Sequence, residues 1–185
     1  MAQNNHIIGR TSNIGDVQRT YNWQVVIPKP VGVTTAPEWD GDLLLRARSA
    51  AMPGVTINAI ESTFMGMKQF FSGNAELEHT LAIEFEEFED QKVFTYLNAW
   101  IATIFDTQNI AQGGGSAVNV DGKSDYAIQL ELYLYKNNTD KMPKKITFHN
   151  CWLQNIGSAT LTYGDSSSVK IPATFQYDYY TIDKS

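Results

Sequence analysis

The sequence predicts a mainly β protein: a β-sandwich or rolled barrel with a long hairpin and one flanking α-helix, packed at its side or over an open end. The first observation behind this is alternation. In Leu81-Ala82-Ile83-Glu84-Phe85-Glu86, and again from Tyr126 to Tyr135, apolar residues take every second position, and successive side chains of an extended chain leave opposite faces. The second is helical spacing, which is clear in one segment alone, from Asp90 to Phe105. The third is the stretch from Val55 to Glu87, which reads as a hairpin turning near Phe64-Met65-Gly66, followed by a further strand. Around that turn Phe64, Met65, Met67, Phe70 and Phe71 present more apolar surface than one small subunit covers, which marks a partner surface. The hairpin is expected to be an assembly element whose strands continue a sheet into neighbouring copies of the same chain.

Composition bounds the answer. With 185 residues, 43% of them hydrophobic, the chain is long enough for one buried core and short for two, so a single domain over residues 1–185 is expected. Its 12% aromatic content is that of a packed protein, and its 18% charged content leaves a surface suited to large contacts. A formal net charge of −6 argues against a protein that grips nucleic acid by its phosphates, because such binders are basic. The single cysteine, Cys151, has no internal partner, which fits maturation in a reducing cytoplasm. No run approaches the ~18 apolar residues of a membrane span, and the start MAQNNHIIGRTSNIGD lacks the apolar core of a signal peptide. A soluble chain that does not bind a membrane directly is therefore expected.

Taken in order, residues 1–20 form a polar arm expected to order on a neighbour. Tyr21 to Ile27 is rich in β-formers and stops at Pro28, so it is the first strand. Lys29 to Asp42 has prolines, glycines and no period, and is a surface loop. A strand over Leu43 to Arg48 follows, and Ala50-Ala51-Met52-Pro53-Gly54 turns the chain into the hairpin. In the next strand Ile83 and Phe85 face a core while Glu84 and Glu86 face water. The helix puts Val93, Leu97, Trp100, Ile101, Ile104 and Phe105 on one stripe, with Asp90 placed to cap its free amides. Gln108 to Lys123, around Gly113-Gly114-Gly115, is a long loop. Strands over Tyr126 to Tyr135, Ile146 to Leu153 and Val169 to Tyr180 complete the chain.

Residues that carry chemistry do not assemble into a known constellation. Gly122-Lys123-Ser124 would need a glycine where Ala117 stands to form a phosphate-binding loop. His149 and Cys151, two apart on one strand, would share a face, yet a structural metal needs about four ligands and neither His6 nor His79 is spaced to help. Glu84 and Glu86 are read as solvated carboxylates rather than an acid and base pair. Tyr177, Tyr179 and Tyr180 lack the basic groove of a base-stacking platform and are expected to pack in a core or interface. No enzyme activity and no cofactor are expected. A monomeric β-barrel that carries an apolar ligand remains an alternative.

The combination of Met52-Pro53-Gly54 before the hairpin, Trp152-Leu153-Gln154-Asn155-Ile156-Gly157 late in the chain, and the closing Phe175-Gln176-Tyr177-Asp178-Tyr179-Tyr180 resembles the tail tube protein of contractile-tailed bacteriophages over nearly the whole chain. The resemblance implies a structural virion protein whose hexameric rings stack into a rigid tube that conducts DNA into the host cell. It implies a continuous inner β-barrel, with the helix outside it. Glu61, Glu84, Glu86 and Glu131 would face the lumen and let DNA pass without sticking. Residues 106–124, with Gly113, Gly114, Gly115, Asp121 and Lys123, would form an extended loop joining successive rings. Partners would be further copies of the chain, the tail sheath, a tape-measure protein, and baseplate and tail-terminator proteins. Location would be the virion tail, after assembly in the host cytoplasm. The inner tube of a tailocin or another capsid-less contractile injection system is the runner-up.

Overall fold

The computed structural model describes residues 19–34, 46–105, 122–136, 143–163 and 167–183. Their elements are β1 (Trp23–Val26), β2 (Ala47–Ala50), β3 (Val55–Phe64), β4 (Met67–Leu77), β5 (Thr80–Glu86), α1 (Lys92–Ile104), α2 (Lys123–Tyr126), β6 (Ile128–Leu134), β7 (Lys144–Ile156), β8 (Lys170–Gln176) and β9 (Tyr179–Ile182). Strands β1-β6-β7-β8-β5-β2 form one antiparallel sheet, β9 joins it on β7, and β3 and β4 make a separate hairpin. The expected mainly β architecture is therefore present.

Alternation decides which side of the sheet is dry. In β5, Leu81, Ile83 and Phe85 are buried while Ala82 is exposed and Glu84 and Glu86 are half-buried. In β6, Ile128, Leu130 and Leu132 are buried between the exposed Gln129 and the half-buried Glu131. The inward residues of all these strands meet those of β7 and β8 in one core, closed by Val93, Tyr96, Leu97 and Trp100 of α1. Trp100 fills the centre: its ring lies 5.6 Å from that of Phe175, and its indole N–H donates to the carbonyl of Tyr126 at 2.9 Å. That bond satisfies the one polar atom of a buried indole. The helical stripe is as expected at Val93, Leu97 and Trp100 and gains Tyr96, whereas Phe105 has left the helix in extended geometry.

The cap of α1 differs from the expectation. Asp90 is held by Arg46, which donates two bonds of 2.7 Å to its carboxylate, so only a long contact of 3.5 Å reaches the amide of Lys92. Glu87 takes its place, accepting from the amides of Phe94 at 2.7 Å and Val93 at 3.4 Å. A carboxylate there satisfies free amides and meets the positive end of the helix dipole. Arg46 also lies 3.7 Å from Glu87 and over the ring of Phe88, and so ties the entry of β2 to the helix.

Three further boundaries move. The strand expected from Leu43 to Arg48 is seen as Ala47–Ala50; residues 43–45 lie outside the described set. The closing strand is broken into β8 and β9 at Tyr177-Asp178, although both keep one register on β7, with Trp152 opposite Gln176 and His149 opposite Tyr179. The break sits beside Asn150, which has a left-handed φ of 53°. That residue shifts the phase of β7: Ile146 and Phe148 point inward before it, Cys151 and Leu153 after it. His149 and Cys151 consequently lie on opposite faces, contrary to the expectation that they share one. His149 stacks on Tyr179 at 4.4 Å outside, while burial inside pushes the Cys151 thiol up to about 12. Lys123 and Ser124 belong to the helical turn α2 rather than to the end of a loop.

Candidate assembly surface

The hairpin stands apart from the core. Every residue of β3 is exposed, and β4 is exposed except for partial cover at Gly73 and Leu77. Its turn is Met65-Gly66, both with positive φ, the geometry that a two-residue hairpin turn needs. Phe64, Met65, Met67, Phe70 and Phe71, the residues expected to meet a partner, are 55–88% exposed. Val55, Ile57 and Ile60 are also at least half exposed and belong to the same surface. Large side chains carry ~150–250 Å² each, so these eight leave on the order of 900 Å² of apolar area uncovered. One partner in a stable interface contributes about 800 Å².

The main sheet has open edges as well. The outer edges of β1 and β2 are unpaired among the described residues, and both line one crevice of about 490 Å³ together with Arg19, Met52, Leu132 and Leu134. The two edges thus border a common crevice, so the sheet curls as an open barrel. Open edges with apolar neighbours pair with further strands unless blocked. Near the start of α1 a second groove of about 470 Å³ is lined by Phe88, Phe94, Leu161, Val169 and Ile171.

All four singled-out carboxylates have cationic partners. Glu61 bonds Lys68 at 2.7 Å on the hairpin. Glu84 meets Lys170 at 3.1 Å, Glu86 meets Arg48, and Glu131 meets Lys145 at 2.6 Å. Glu84, Glu86 and Glu131 share the outer, solvent side of the curled sheet, opposite the core. Hydrogen bonds from Ser168 and Arg48 hold Glu86 below the usual carboxylate range. For Glu131, partial burial pushes upward but bonds from Lys145 and the Tyr133 hydroxyl outweigh it. This outer face is therefore zwitterionic rather than bare acid. Lys123, expected in a loop between rings, bonds both oxygens of Asp178 at 2.7 Å. Gly113, Gly114, Gly115 and Asp121 lie outside the described residues, as do residues 1–18 of the arm.

Tyr177 packs in the core, with its hydroxyl donating to the carbonyl of Glu78, while Tyr179 stays exposed. Among the described residues no group of three or more His, Cys, Asp or Glu could hold a metal ion, and no helix is long and apolar enough to cross a membrane.

Solved structures share this fold. The chain is similar to one in the cryo-EM structure of the anti-feeding prophage cap, the AFP tube terminating cap, with a TM-score of 0.59, 13% identity and coverage of 93% of this chain and 94% of that one. A chain of the PVC sheath/tube terminator of an extracellular contractile injection system in its extended state gives 0.59, 13%, 92% and 99% in the same order. One from the PVC sheath-tube complex in its extended state gives 0.58, 11%, 93% and 95%. At such identities the likeness is one of fold. No curated protein sequence matches the chain. The family model described as "Phage tail tube protein" matches residues 17–183, and the chain belongs to that family of structural tube proteins.

Proposed function

We propose that this protein forms hexameric rings that stack into the rigid inner tube of a contractile tail, and that double-stranded DNA passes through the bore. The observation that carries the reading is the wholly exposed hairpin beside a barrel with two open edges. A subunit with these features is completed by copies of itself: closure around an axis removes sheet edges, and a head-to-tail contact between rings extends them into a filament. Glu61, Glu84, Glu86 and Glu131 line the lumen in this reading. Because each sits beside a Lys or Arg, the wall is a field of balanced charge that neither retains phosphates nor strongly repels them. Gly113, Gly114, Gly115, Asp121 and Lys123 join successive rings. The tube takes a sheath outside, a tape-measure protein within, and baseplate and tail-terminator proteins at its ends. It assembles in the host cytoplasm and ends in the virion tail.

A second reading has one observation in its favour. The neighbours with TM-scores of 0.58–0.59 come from the anti-feeding prophage and from an extracellular contractile injection system, so a capsid-less injection tube fits the same geometry. The test of assembly is analytical ultracentrifugation with negative-stain imaging of the purified chain at rising concentration. Rings or tubes support the proposal. A species that stays monomeric at millimolar concentration, alone and with its sheath protein, overturns it.

A further inference from the structure

Among the described residues β3 and β4 pair with each other and with no strand of the main sheet, and none of their residues joins the core cluster. A ribbon attached in this way swings about its two connections to the body unless something holds them. The entry connection is tied by the amide of Ala51, which donates to the carbonyl of Ala82 at 2.9 Å. The two connections meet where the amide of Glu78 donates to the carbonyl of Gly54 at 3.3 Å.

One residue holds the exit connection. Tyr177 donates its amide to the carbonyl of His79 at 3.0 Å, its carbonyl accepts from Nδ1 of His79 at 3.1 Å, and its hydroxyl donates to the carbonyl of Glu78. A carbonyl only accepts, so Nδ1 carries the proton. Three bonds from Tyr177 thus fix the two residues through which β4 passes into β5. The first of them prolongs the β5–β8 ladder beyond Thr80 and Gln176. The hydroxyl bond belongs to no ladder, and a phenylalanine would fill the same space without making it.

Tyr177 is itself firmly placed. It is 1% exposed, and its ring meets Phe148 edge-on at 4.9 Å and Tyr180 at 6.3 Å. Burial raises the hydroxyl above the usual phenol range, so it stays protonated and keeps donating. The next residue secures the backbone at the break between β8 and β9. The amide of Asp178 donates to the carbonyl of His149 at 3.1 Å, and its carboxylate accepts from Lys123 at 2.7 Å and from Asn150 at 2.8 Å. Asn150 is the residue whose left-handed φ re-phases β7. The break is therefore braced inward by a ring in the core and outward by a carboxylate that bridges β7 and α2.

We infer that Tyr177, braced by Asp178, is a positioning residue for the hairpin: its hydroxyl, held at the strand break, sets the direction in which β3 and β4 leave the barrel. This goes beyond the tube reading and does not depend on it. The lever is long, because a strand of ten residues spans roughly 33 Å at ~3.3 Å per residue. A swing of ~10° at its base moves its tip by about 6 Å. An isolated subunit held in this way presents its apolar ribbon in one orientation, and a partner that binds it bears less of the ordering cost of association. The closing Tyr177-Asp178 pair then has a task besides packing.

The experiment places spin labels on Gln69→Cys, near the hairpin tip, and Gln154→Cys, on the exposed side of β7, in the full chain at a dilution where ultracentrifugation shows monomer; Cys151 is buried and stays unlabelled. Double electron–electron resonance then reads the distance between them. The otherwise wild-type chain should give one narrow distribution. Tyr177→Phe should give one at least twice as broad, with a Tm within about 4 °C of the parent for a chain of this length. Asp178→Ala, on the exposed side of the same break, should broaden it as well. A role confined to core packing moves the Tm and not the width. A broad distribution in the parent, or an unchanged width in either variant, overturns the inference, and the parent and Asp178→Ala decide it even if Tyr177→Phe does not fold. A wild type that never assembles overturns the tube reading alone, since these distances are read on single subunits.

Discussion

If the hairpin serves only the assembled state, its removal should cost the isolated subunit almost nothing. The perturbation is replacement of residues 57–75 by an Asn-Gly turn joining Thr56 to Glu76, which face each other across the ribbon. The removed residues are exposed apart from partial cover at Gly73, and none belongs to the core cluster. The loss of subunit stability should therefore stay within about 1 kcal/mol, a shift in Tm of about 2–4 °C for a chain of this length. Assembly should change far more. The ~900 Å² of uncovered apolar surface corresponds to roughly 20 kcal/mol at ~25 cal/mol per Å² before association and ordering costs. Differential scanning fluorimetry of monomer and sedimentation of concentrated protein measure the two quantities. A fall of ten degrees or more in monomer Tm would show that the ribbon packs on its own barrel and would refute the reasoning.

Other expectations concern the body. Trp100→Ala should cost about 3–5 kcal/mol in denaturant unfolding, the usual loss for a fully buried aromatic, since it empties the core and frees the Tyr126 carbonyl. Glu87→Ala should destabilise by about 1–2 kcal/mol, more than Asp90→Ala, because Glu87 and not Asp90 holds the helix amides. The hydrogen bonds from Arg46 keep Asp90 down at about 2 from an ordinary 3.8. A carboxyl depressed in the folded state contributes stability that is full above its unfolded value and lost as pH falls through the folded one. Acid titration of stability should thus fall between about pH 4 and pH 2, and Asp90→Asn should flatten that window. With its thiol pushed up to about 12 by burial, Cys151 should resist a thiol reagent at pH 8 in the native protein and react at once in guanidinium; rapid native labelling would contradict its placement.

Where one face of a strand is dry and the other wet, the sequence carries the answer by itself. That is why β5 and β6 lie where Ile83, Phe85, Leu130 and Leu132 put them. The hairpin was legible for a related reason, since Phe64, Met67 and Phe71 cluster near a Met-Gly turn. What could not be read were contacts between residues far apart in the chain. Asp90 stands next to the helix and looks like its cap, but Arg46 claims it from 44 residues away. The carboxylates of the outer face looked bare because Lys170, Arg48 and Lys145 reach them from other strands. The phase change at Asn150 turns on one backbone angle, which Asn tolerates but does not dictate. The apolar residues of β3 move from odd positions, Val55 and Ile57, to even ones, Ile60 and Phe64. That change of phase puts exposed apolar residues on both faces of the ribbon.

The central proposal is that the subunit is completed by copies of itself, and backbone hydrogen exchange across Val55–Leu77 tests it directly. Compared between dissociated subunits and sedimented assemblies, the amides of β3 and β4 should exchange quickly in the former and become protected at least a hundredfold in the latter, on both edges of the ribbon. Equal exchange in the two states, with assemblies present, would mean that the hairpin plays no part in holding the particle together.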